Sequence, residues 1–247
     1  MISEFPLFVF TLLGGMAAGS YAFTAIFPAR ELYKPWVRPL IVLALLAVSG
    51  LFLLTHLGRP SNVLFAFSNV TSGITVEGIT MVLFGITVLV DFALSFRKGE
   101  SIRPVVIVGA VLGIALLCAM GYAYASLVGV PLWGSWRSYP LFVLGGLALG
   151  SSFAALFAEG GFASKRVTAC VVAALVAGVA AVALTAVSFF SAGEGSALFA
   201  IAVIALVLAV GAAVAGKQSR SYRLAPLVCL LCVVGMAAAR YAFYAIM

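Results

Sequence analysis

Eight apolar runs, at about 5–27, 39–57, 75–95, 105–127, 140–158, 168–190, 197–215 and 225–246, constrain this chain more than any motif within it. A bilayer core is crossed by about 20 apolar residues in a helix, and every run approaches or exceeds that length. In lipid each backbone amide must bond within its own segment, and runs this long are not the alternating strands of a membrane barrel. The expected fold is an all-α integral membrane protein with eight transmembrane helices. Spans of that length leave no room for a soluble domain, so residues 1–247 are read as a single membrane domain. With 9% charged residues against roughly a quarter in soluble domains, the composition excludes a water-soluble globule.

The formal charge of +7 does not point to nucleic acid, because the 14 Lys and Arg are scattered between apolar runs. Eleven of them (Arg30, Lys34, Arg38, Arg97, Lys98, Arg103, Lys165, Arg166, Lys217, Arg220 and Arg223) follow runs one, three, five and seven, leaving Arg59, Arg137 and Arg240 for the other side. Positive loops stay in the cytoplasm, which predicts that both termini and the loops 58–74 and 128–139 lie outside. A bacterial or archaeal cytoplasmic membrane fits this pattern. The start, MISEF, is acidic where a secretory signal is basic, and the first run is read as a retained helix.

An internal echo divides the bundle. PLFV at 6–9 followed by LGGMAAGS at 13–20 resembles PLFV at 140–143 followed by LGGLALGS at 144–151. Four helices separate the copies, so both enter from one face, predicting two parallel four-helix repeats at about 1–130 and 131–247. Each copy holds a G-x-x-x-G, Gly15 to Gly19 and Gly146 to Gly150, whose missing side chains permit close helix approach.

Chemistry-bearing residues are few. The sole histidine, His56, closes the second run in THLGRP at 55–60. One histidine cannot supply both axial ligands of a b-type haem, which excludes a self-contained dihaem quinol oxidase unless another ligand substitutes. An imidazole there is a candidate acceptor for a quinol hydroxyl proton, or simply a helix-end side chain bonded to a carbonyl. Arg59, Glu77 and Arg240 fall in or near the outer leaflet, where charge is costly, and Glu77 with Arg59 or Arg240 would make a buried pair. Asp91 and Glu159 read as cytoplasmic caps or loop-pairing charges. In the loop VPLWGSWRSYP at 130–140, Trp133, Trp136 and Arg137 are interfacial anchors or a docking surface for a partner protein. Cys118, Cys170, Cys229 and Cys232 sit in apolar runs without the second pair or histidine of a metal site, so no metal is expected in this chain.

HLG-x-P at 56–60, the helix with Glu77, V-P-x-W at 130–133 and Arg-aromatic-x-Phe-Tyr at 240–244 resemble the membrane anchor subunit of dimethyl sulfoxide reductase, within the polysulfide reductase membrane subunits. The resemblance implies a haem-free anchor for an iron–sulfur electron-transfer subunit and a molybdopterin catalytic subunit on the outer face. It implies menaquinol as the bound substrate and anaerobic respiration as the setting. By that resemblance His56 accepts the quinol proton, and Arg59, Glu77, Arg240 and Tyr244 are carried over as quinol-binding residues. The competing expectations are a small-solute transporter, suggested by the duplicated halves, and a purely structural anchor.

Overall fold

Each apolar run becomes a helix in the computed structural model, which describes residues 4–27, 34–56, 72–127, 129–219 and 223–246. In chain order the helices are α1 (Phe5–Thr24), α2 (Val37–His56), α3 (Gly73–Lys98), α4 (Arg103–Ala125), α5 (Ser138–Ala154), α6 (Lys165–Ser191), α7 (Ala197–Ser219) and α8 (Leu224–Tyr244). Two single 3-10 turns, Ala155–Phe157 and Gly161–Ala163, join α5 to α6. All eight helices are long and apolar enough to cross a membrane, counting the first 3-10 turn with α5, which makes the chain a multi-pass membrane protein.

Local chemistry sets the helix ends. Ser72 caps α3, its hydroxyl accepting from the Thr75 amide at 3.3 Å, and Gly99 ends the same helix with φ +73°. Pro6 and Pro104 occupy the first turns of α1 and α4, where no intrahelical amide bond is lost.

The centre of the bundle is α1 against α5, the two most buried helices. They carry the two echoed segments, and their contact is made at the glycines. A Cβ on Gly19 would run into the Gly146 carbonyl, and one on Gly150 would meet the Gly19 backbone. Equivalent serines close the echo in the same way: Ser20 donates to the Ala17 carbonyl at 2.7 Å and Ser151 to the Ala148 carbonyl at 3.0 Å. Helix α1 also packs on α2, α4 and α8, while α5 packs on α4, α6 and α8. The peripheral helices α2 and α3 are mostly open to their surroundings, and α3 turns Val82, Ile86 and Leu89 outward. Outward apolar side chains of this kind are what lipid demands of a spanning helix.

Candidate functional site

Helix α1 begins where α2 ends, and α3 begins where α4 ends, so four termini meet at one end of the bundle. Between them lies a cavity of about 590 Å³, lined by Glu4 and Leu7, Leu53 and His56, Ser72 to Ile74 and Glu77, Tyr122 to Tyr124, Ser126, Leu127 and Trp133. That size is ordinary for a small-molecule site, and so is a mostly apolar wall with a few polar groups. Its back wall depends on Gly73, where a Cβ would press on Ala123 of α4.

His56 sits at the last position of α2 with its side chain 30% exposed. Its Nδ1 lies 3.2 Å from Glu4 Oε2, a partner contributed by the residue just before α1. The acidic start of the chain thus has a place in the site, which the sequence reading used only as a mark against a signal peptide. Glu77, one turn into α3, lines the same cavity but is almost completely buried, and its Oε1 has no hydrogen-bond partner. The structure therefore brings His56 and Glu77 to one cavity from two helices.

Arg240 and Tyr244 lie elsewhere. Both are fully buried on α8 and neither lines the cavity. The Arg240 guanidinium stands 5.3 Å from the centre of the Phe142 ring, and Nε, Nη1 and Nη2 all lack hydrogen-bond partners. The space it occupies exists because residue 15 is glycine: a Cβ there would lie 3.1 Å from Nη2. Tyr244 shares a hydrogen bond with Thr11 at 3.3 Å between hydroxyls. The expected buried pair of Glu77 with Arg240 is not formed. Instead both charges have the Tyr124 and Tyr244 hydroxyls as electrostatic neighbours. Arg59 lies outside the described residues.

An aromatic cluster separates the cavity from Arg240. Tyr124 stacks on Phe142 with ring centres 4.5 Å apart, Trp133 stacks on Phe243 at 5.4 Å, and Tyr244 meets both Tyr124 and Trp133 edge-on. Large rings pack this way because offset and edge-to-face contacts match their quadrupoles. The reading of Trp133 as part of a docking surface needs correction. It is 3% exposed, donates its indole N–H to the Phe243 carbonyl at 2.8 Å, and forms a wall of the cavity. Trp136 is 68% exposed, with Arg137 5.9 Å from its ring centre and donating to Ser188 Oγ at 3.4 Å. Only these two of the three expected residues face outward.

Asp91 also departs from expectation. It is fully buried in α3, not a cap, and accepts the Tyr21 hydroxyl at 2.9 Å, with Arg38 near the start of α2 as an electrostatic neighbour. The missed signal is spacing. Glu77, Phe84 and Asp91 recur every seven residues and share the buried stripe of α3.

No protein-family model matches this chain, and no curated protein matches it.

Proposed function

We propose that the chain is the haem-free membrane anchor of a molybdopterin and iron–sulfur oxidoreductase, binding and oxidising menaquinol at the His56 cavity. The carrying observation is the placement of a partly exposed imidazole and a buried carboxylate on one mostly apolar cavity at a bundle end. In this reading two parallel four-helix repeats run through a bacterial or archaeal cytoplasmic membrane with both termini outside, so the cavity opens toward the outer leaflet.

The chemistry follows from the donor set. Oxidation of a quinol releases two electrons and two protons. His56 accepts a hydroxyl proton, and Glu4, 3.2 Å from Nδ1, is placed to carry it on to the aqueous side. Glu77 is the second acceptor within the same cavity. Tyr124 and Trp133 supply flat apolar surface against the head group. Arg240, behind the aromatic wall, acts on a developing oxyanion through its field and not by contact, leaving direct stabilisation to Arg59. A partner docked on the outer loops, among whose exposed residues are Trp136 and Arg137, would take up the two electrons one at a time through its iron–sulfur clusters.

The test is His56→Ala in the natively assembled complex. Quinol-dependent reduction should fall by at least about 100-fold, the usual contribution of a positioned general base, with assembly intact. Metal analysis of the wild-type complex should find molybdenum or tungsten with iron–sulfur clusters and no haem. Unchanged quinol oxidation in the variant, or a chain purified without such partners, overturns the reading.

A further inference from the structure

A second cavity lies at the opposite end of the bundle, where α1 finishes and α4 and α6 begin. It has a volume of about 350 Å³, and among its lining residues are Ile26, Phe27, Ser101, Arg103, Val106 and Arg166. The two guanidiniums come from separate helices, each within the first two residues of its helix. Among the described residues no carboxylate pairs with either. Two positively charged residues lining one concavity raise the local concentration of anions. Their planar forks suit phosphate oxygens, and the Ser101 hydroxyl adds a further donor.

The rest of the lining decides what carries the phosphate. Ile26, Phe27 and Val106 are apolar, and Ile26 is well exposed beside the arginines. The cavity also sits at the ends of spanning helices, the depth at which lipid phosphates lie. A free phosphate uses the basic half of this cavity alone, whereas a phospholipid uses both halves. We propose that the cavity binds the phosphate of an anionic phospholipid between Arg103 and Arg166, with its glycerol and first methylenes over Ile26. The lipid then bridges the starts of α4 and α6, which have little or no direct packing on each other. This site is independent of the quinol reading, which it neither needs nor supports.

The experiment uses the full chain in nanodiscs of equimolar phosphatidylglycerol and phosphatidylcholine, followed by gentle extraction and native mass spectrometry. Wild type should retain phosphatidylglycerol selectively. Each arginine near a charged membrane surface contributes about 1 kcal/mol, so Arg103→Gln with Arg166→Gln should lower retention by roughly thirtyfold. Far-UV circular dichroism and melting in lipid-free detergent establish that the double variant folds, and the paired change Lys217→Gln with Arg97→Gln, at basic positions outside the cavity, should leave retention unchanged. Equal retention by wild type and the Arg103/Arg166 variant overturns the site. Displacement of the lipid by inorganic phosphate at ordinary buffer strength overturns the lipid assignment.

Discussion

Replacing Gly19 by alanine tests the centre of the bundle, because the structure supplies its own control. In helices, alanine is favoured over glycine by about 1 kcal/mol through backbone entropy. At Gly211 of α7 nothing lies within 4 Å of an added Cβ, so Gly211→Ala should show that gain undiminished. At Gly19 the added Cβ meets the Gly146 carbonyl, and the Gly150 Cα lies at 3.3 Å. Both obstacles are backbone, which no rotamer change can move. Helices α1 and α5 must therefore separate, and overpacking of that kind costs about 1–3 kcal/mol. Net of the propensity gain, Gly19→Ala should destabilise by up to about 2 kcal/mol, and Gly19→Val by more, since a branched side chain widens the gap. Denaturant unfolding in detergent micelles, followed by tryptophan fluorescence, measures the difference. Equal midpoints for Gly19→Ala and Gly211→Ala would refute the close α1–α5 contact.

Tyr21→Phe removes the hydroxyl that donates to buried Asp91 and should cost about 1–3 kcal/mol, with a double-mutant cycle against Asp91→Asn showing that most of the loss is shared. Trp133→Ala deletes a buried ring and its bond to the Phe243 carbonyl, and should lower stability by about 3–5 kcal/mol. Trp136→Ala, at an exposed ring, should stay within about 0.5 kcal/mol in the same unfolding assay, and under the proposed function it should weaken capture of an iron–sulfur partner. Glu4→Gln should change stability by less than about 1 kcal/mol, since the pair with His56 is partly exposed, and under the proposed function it should slow quinol oxidation in steady-state assays.

The helices were legible because lipid imposes one rule on every span, and eight apolar runs satisfy it by length and composition. Glycine at the echoed positions was legible for a related reason, since close helix approach needs small residues wherever it occurs. The site was legible only in part. His56 was marked as the sole imidazole of the chain and Glu77 by its cost at that depth, and both signals are local to the residue. Which charges meet depends on contacts between distant parts of the chain. Thus Glu4 was invisible as the partner of His56, and Arg240 gave no sign that aromatic rings of α4, α5 and α8 would part it from Glu77.

Helix α3 ties the cavity to the far end of the bundle. Its two acidic residues, at 77 and 91, are close to four helical turns apart, so they lie on one face separated by about 21 Å along the axis. That face is also the only buried one, and the opposite side of α3 is apolar and exposed. Rotating α3 by one position would swing both carboxyls toward lipid, where an ionisable side chain is costly. Apolar neighbours would resist such a rotation far less, because one aliphatic side chain replaces another on a lipid face at little cost. The register that presents Glu77 to the cavity is therefore held chiefly by polar burial, with the Tyr21 to Asp91 hydrogen bond as its second point of fixation.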